Sequence, residues 1–118
     1  MFKKESFVEQ YYSGHLEVEC FYKDGKLNRL LISRYENGRK EYQGTYKDGK
    51  RDELWTWWYE NGHKRRETTY KDGKENGLFT QWYENGQKEY QGTYKDGNVV
   101  GKWTTYNKNG SVKEVKEY

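Results

Sequence analysis

An all-β fold is predicted: a single-layer antiparallel meander of about ten strands, twisted or curled, built from β-hairpin repeats and without helices of note. Three observations predict it. The chain repeats every 24 residues, with Tyr11, Tyr35, Tyr59, Tyr83 and Asn107 in one column and Tyr22, Tyr46, Tyr70, Tyr94 and Tyr118 in another. Two turn signals alternate within each unit, leaving segments of about eight residues, a length that suits strands and is too short for helices. Proline and alanine are both absent; strand interiors exclude the first, and a helix-building chain rarely omits the second. A period of this size marks units that stack along one axis.

The turns fix the elements. Y-E-N-G stands at 35–38, 59–62 and 83–86, with degenerate copies YYSG at 11–14 and NKNG at 107–110; Y-K-D-G stands at 22–25, 46–49, 70–73 and 94–97. Asn-Gly and Asp-Gly both suit the two positive-φ positions of a type I′ hairpin turn. Strands are therefore expected at 5–11, 16–22, 28–35, 39–46, 52–59, 63–70, 76–83, 87–94, 100–107 and 111–118, the first because Phe7 shares the column of Leu31, Trp55, Phe79 and Trp103. Residues 1–118 read as one array with units near 11–34, 35–58, 59–82 and 83–106, capped by strands at 1–10 and 107–118.

Registers follow from the turns. Trp55 should lie opposite Thr68 and Tyr42, Phe79 opposite Gly92 and Arg66, Trp103 opposite Tyr90 and Lys116, and Leu31 opposite Gly44 and Val18. Strand alternation then gathers an aromatic face whose core is Tyr42, Trp55, Phe79, Tyr90 and Trp103, with large rings lying beside the glycines Gly44 and Gly92. The other face carries Glu41, Gln43, Thr45, Asp52, Thr56, Glu67, Glu89 and Gln91, crossed by a narrower line of Trp58, Trp82 and Tyr106 with Leu54, Leu78 and Val100 nearby. A sheet with no second layer must curl on itself or meet a partner.

The unit G-T-Y-K-D-G-K-x-x-x-x-W-T-x-W-Y-E-N-G at 44–62, and its relative at 92–110, resemble the MORN-repeat variant family of bacteria, which includes proteins grouped as YwqK-type antitoxins. The resemblance spans roughly residues 11–110. It implies a long, twisted single-layer sheet used for binding and not for catalysis, with members that partner toxins or form modules of larger proteins. The chain departs from the pattern at Arg29 and Glu53, where Gly77 and Gly101 stand in other units, and at Cys20 and Thr68, where Gly44 and Gly92 do. The first units are expected to pack differently.

Composition narrows the function. Leu, Ile, Val and Phe number 17 of 118, a poverty that often marks disorder. Here 22 basic and 19 acidic side chains nearly cancel to +3, and 13 Tyr and 5 Trp replace the missing aliphatic surface. Cys20 is alone, so no disulfide framework is expected, and with neither an apolar leader nor an apolar span the chain reads as cytoplasmic. No nucleophile–base motif or phosphate-binding loop is visible, so no enzyme and no cofactor are expected. His15 and His63 occupy equal places two units apart, about 19 Å at the usual strand spacing, too far to share a metal. Asp24, Asp48, Asp72 and Asp96 come one per unit beside lysine, which turn formation explains without calcium.

Two candidate surfaces remain. Trp57 shares its column with Ser33, Gln81 and Thr105, so packing does not require a ring there; with Trp58, Trp82 and Tyr106 it is the candidate partner-binding set. Lys23, Lys47, Lys71 and Lys95 form a basic edge, the three Lys-Asp-Gly-Lys turns at 23–26, 47–50 and 71–74 each carrying a net +1. The sequence thus points to a non-catalytic protein-binding module, an antitoxin or immunity-like partner of a bacterial toxin. The alternatives are a peripheral scaffold meeting anionic lipid through the lysine edge, or a structural or host-contact module stacking sugars on Trp57 or Trp58. Nucleic acid is disfavoured because the basic edge lies beside the aromatic face and not upon it. The charged strand SVKEVKEY blunts edge-to-edge addition, leaving a monomer or a face-to-face homodimer.

Overall fold

The computed structural model describes residues 15–118 and the backbone of 6–13. The expected strand start at Glu5, Gly14 of the first turn and the side chain of Phe7 lie outside the described residues. Ten strands follow in chain order: β1 (Ser6–Ser13), β2 (Leu16–Lys23), β3 (Lys26–Arg34), β4 (Lys40–Lys47), β5 (Lys50–Trp58), β6 (Lys64–Lys71), β7 (Lys74–Trp82), β8 (Lys88–Lys95), β9 (Asn98–Tyr106) and β10 (Val112–Glu117). They form one sheet in the order β1 to β10, each strand antiparallel to its sequence neighbours. Its extents of 47 × 35 × 23 Å exceed the roughly 10 Å depth of a flat layer, as a twisted and curled sheet requires.

The two turn signals build different turns. At Lys-Asp-Gly, Asp48 and Gly49 both have positive φ, 52° and 75°, and Lys47 pairs with Lys50, so the expected two-residue type I′ hairpin forms. At Tyr-Glu-Asn-Gly it does not. Gly62 N–H donates to Tyr59 O and Tyr59 N–H to His63 O, which makes Glu60 and Asn61 the central residues, and only Gly62 turns left-handed, at 93°. This is a three-residue loop closed by a glycine bulge. Asn61 explains the choice, since its Oδ1 accepts the His63 N–H at 2.9 Å and its Nδ2 donates to Glu84 O at 3.0 Å.

A separate bulge, three residues past the turn glycine, leaves Glu41 and Glu89 as extra residues in β4 and β8. Both were expected on the polar face. Instead they turn toward Ser33 and Gln81, which donate to them at 2.9 and 3.1 Å, because a bulge aims neighbouring side chains to one side.

A second irregularity corrects the register. Between the pairs Thr45↔Asp52 and Gln43↔Thr56, β4 contributes only Gly44 while β5 contributes Glu53, Leu54 and Trp55. Trp55 therefore covers Gly44 and does not face Tyr42. By the same shift Phe79 pairs with Thr68 and not Arg66, and Trp103 covers Gly92 and does not face Tyr90. The offset is two residues, so the faces are preserved. The pairs Trp55↔Thr68, Phe79↔Gly92, Trp103↔Lys116 and Leu31↔Gly44 stand as expected. In the β2–β3 hairpin, where Arg29 stands, the ladder runs unbroken from Lys23↔Lys26 to Leu16↔Ser33. The early units do pack differently.

The bulge requires a left-handed residue, supplied by Gly77 at 124° and Gly101 at 67° but by Glu53 at 59°. A side chain in that region costs roughly 1–2 kcal/mol, partly offset by the roughly 0.5–1 kcal/mol entropic cost of glycine itself. Glu53→Gly is expected to stabilise the protein by about 0.5 kcal/mol, read as a higher urea midpoint. Its exposed ion pair with Lys23, at 3.7 Å, contributes too little to reverse the sign.

A single layer makes a thin core. Trp55 is 1% exposed and Phe79 5%, with Val18, Cys20 and Thr68 also buried. Tyr42, Tyr90 and Trp103, expected in the core, are only half-buried, because rings on an uncovered face shelter one another on one side alone. Tyr42 stacks on Trp55 at 6.2 Å and Tyr46 meets it edge-on at 5.2 Å; Tyr90 and Tyr94 repeat this arrangement around Phe79 at 5.6 and 5.5 Å.

Candidate functional site

Part of the consensus is structural mortar. Tyr35, Tyr59 and Tyr83 donate their hydroxyls to the carbonyls of Trp58, Trp82 and Tyr106 at 2.5–2.6 Å, each bonding one unit to the next. Asn37, Asn61 and Asn85 do the same to Glu60, Glu84 and Lys108. Burial raises the pKa of Tyr35 and Tyr59, whose hydroxyls donate only while protonated. Asn107, in the tyrosine column, bonds within its own turn to Ser111 Oγ. Strand alternation alone places Tyr59 and Tyr83 on the aromatic face and the asparagines in turns; the signal for the ladder is the strict recurrence of tyrosine ahead of each Glu-Asn-Gly.

Trp57 lies on the aromatic face, half-buried, 5.9 Å from Trp55. Arg66, directly across on β6, places its guanidinium carbon 4.1 Å from the Trp57 ring centre. Arg51 lies over Trp55 at 4.7 Å, Trp57 at 5.6 Å and Tyr70 at 5.5 Å, and donates to the Tyr70 hydroxyl at 3.1 Å. Burial pulls the Arg51 pKa down, but hydrogen bonds with Tyr46 and Tyr70 outweigh it and raise the value further, so the cation is firmly held. Beside the cluster a recess of about 160 Å³ is lined by Leu31, Tyr42, Tyr46, Arg51, Trp55 and Trp57.

Trp58 and Trp82 occupy the opposite face, separate from Trp57. Lys40 and Lys64 lie 5.8 Å over their rings and are anchored by Gln43 and Glu67 at 2.7 and 2.9 Å. Leu54 and Leu78, 52% and 58% exposed, stand in rows beside them, so this face alternates apolar and basic side chains. Tyr106 continues the line at the end of β9, half-buried. The predicted set is thus two surfaces, with Trp57 on one and Trp58, Trp82 and Tyr106 on the other.

Lys23, Lys47, Lys71 and Lys95 end β2, β4, β6 and β8 along one edge, as expected. That edge is partly neutralised: Lys23 pairs with Glu53, and Lys26 with Asp48 at 3.6 Å. His15 and His63 are exposed, and the His63 imidazole rests against Gly86 of the next unit. The four aspartates hold the left-handed turn positions. Among the described residues no group of three or more His, Cys, Asp or Glu is placed to hold a metal ion.

The MORN repeat variant matches at residues 54–72, 75–96 and 99–118, each segment holding one hairpin closed by an Asn-Gly turn. No curated protein and no solved structure matches the chain. Repeats of this kind generally bind proteins or lipids. The matched segments cover just over half of the sequence and coincide with successive hairpins of the observed sheet, so the chain belongs to the MORN repeat variant family.

Proposed function

We propose that the array is a non-catalytic protein-binding module that acts as the antitoxin or immunity-like partner of a bacterial toxin. The observation that carries the binding role is the aromatic face: a ladder of rings with Trp57 at its centre, uncovered by any second layer among the described residues. Apolar area so displayed suits a partner surface, and tryptophan and tyrosine are favoured anchors. The toxin-directed role rests on the likeness of 44–62 to antitoxin-grouped repeats. A cytoplasmic location belongs to the same proposal, and the buried, unpaired Cys20 fits a reducing compartment.

The tagged protein should recover one stoichiometric partner from extract of its own cells. That partner, expressed alone, should arrest growth, and co-expression of the array should restore it. Recovery of a harmless partner removes the antitoxin role; recovery of none removes protein binding.

A second reading is favoured by the other face, where Leu54 and Leu78 stand exposed between Trp58, Trp82 and the lysines Lys40 and Lys64. With the lysine edge this suits a peripheral scaffold on anionic lipid. Vesicle binding should then weaken with salt and with Lys47, Lys71 and Lys95 changed to Glu; indifference to both dismisses it.

A further inference from the structure

A side chain that the array needs for folding recurs every 24 residues, and one that fails to recur has another reason to be there. Three such departures meet on the aromatic face. Trp57 stands in the column of Ser33, Gln81 and Thr105; Arg51 in that of Leu27, Glu75 and Val99; Arg66 in that of Val18, Tyr42, Tyr90 and Glu114. Both guanidiniums lie against the Trp57 ring, at 4.1 and 5.6 Å.

Neither arginine forms an ion pair with a carboxylate among the described residues, whose exposed pairs lie elsewhere. The acids that reach this face are already engaged: Glu41 by Ser33, Glu75 by Thr68 at 3.1 Å and Glu89 by Gln81. Two half-buried cations therefore flank an indole beside an open recess; Arg51 donates to Tyr70 and Tyr46, and neither guanidinium meets a carboxylate among the described residues.

We propose that this cluster docks an acidic segment of a partner protein, an Asp or Glu carboxylate engaging Arg51 and Arg66 while a neighbouring apolar side chain rests on Trp57 and enters the recess. The proposal rests on the protein-binding reading above and names the chemistry of its partner. Guanidinium forks match carboxylates in paired hydrogen bonds, and a partly desolvated site strengthens them. A continuous polyanion fits less well, because Glu41, Glu75 and Glu89 line the same face and repel a nucleic-acid backbone or an anionic membrane, whereas a single carboxylate can sit between them.

Selection of a displayed library of random short peptides on the whole protein should enrich Asp or Glu next to an apolar residue. The affinity of a selected peptide should fall by about 30-fold or more in Arg66→Gln, fall less in Arg66→Lys, which keeps the charge and loses the fork, and hold in Lys71→Gln with Lys95→Gln. Unchanged circular dichroism and urea midpoint in Arg66→Gln separate lost binding from lost folding. Selected peptides without acidic enrichment, or affinity indifferent to Arg66, overturn the acidic segment and leave protein binding standing. Failure to select any peptide, with retention on single-stranded DNA or phosphatidylserine vesicles, also overturns it. Absence of any co-purified protein overturns the broader reading instead.

Discussion

Gly44→Ala is expected to destabilise the protein by about 3 kcal/mol, lowering Tm by on the order of 10 °C. A Cβ at Gly44 would stand 2.0 Å from Trp55 Cδ2 and 2.2 Å from Cε2, far inside van der Waals contact. The indole is held from several sides. It is 1% exposed, its Nε1 donates to Thr45 O at 3.0 Å, Tyr42 and Tyr46 pack against it, and Arg51 lies over it. Gly92→Ala meets Trp103 at the same 2.0 Å. Trp103 is only half-buried and can swing outward, so the loss there should be smaller. Thr68 occupies the same column safely because the ring in its hairpin is Phe79, the smaller aromatic. Gly44→Thr combined with Trp55→Phe should therefore be more stable than the two single losses add up to. Urea unfolding of the four proteins measures this coupling; simple additivity would refute the idea that each column trades side-chain volume across the hairpin.

That trade was half legible in the sequence. The 24-residue period, the alternation of turns and the count of strands could all be read, because hairpins of fixed pitch leave their repeat directly in the spacing of tyrosine and glycine. That large rings lie beside the strand glycines could be read as well. Which ring covers which glycine could not, because the bulge at Glu53, Gly77 and Gly101 inserts two residues that no turn signal announces. The glycines at 77 and 101 marked the spot, yet Glu53 fills the same conformation and hides the rule. Asn-Gly was misassigned for a related reason: the dipeptide permits a type I′ turn, but the asparagine amide is used to reach the next unit, and that bond exists only once units are stacked. At the candidate site, the sequence singled out Trp57 from its odd column. Arg51 and Arg66 are equally odd in theirs, but a charge out of its column is ordinary on a solvated sheet, and their approach to Trp57 exists only once the strands are paired.

Raising the pH through the tyrosine range is expected to unfold the array, and to do so through identifiable hydroxyls. Burial is the leading reason that the pKa values of Tyr35, Tyr59, Tyr90 and Tyr94 are raised above the ordinary value near 10. The folded state thus keeps protons that the unfolded chain has begun to release. Their stabilising contribution is fully present below about pH 10 and disappears as pH rises through the higher folded values. Tyr35 and Tyr59 supply the mechanism: a phenolate cannot donate to the carbonyls of Trp58 and Trp82, and its charge would face their oxygens at the same short distance. Changing both to Phe should lower stability at neutral pH by about 2 kcal/mol, at about 1 kcal/mol for each hydrogen bond. The same variant should lose less stability per pH unit above 10, having two fewer linked protons, so its curve and that of the parent converge on the alkaline side. Urea midpoints stepped through that range, followed alongside tyrosinate absorbance, measure both slopes. Parallel curves would show that the ladder hydroxyls titrate alike in the folded and unfolded chain, and that their bonds add nothing to the joining of units.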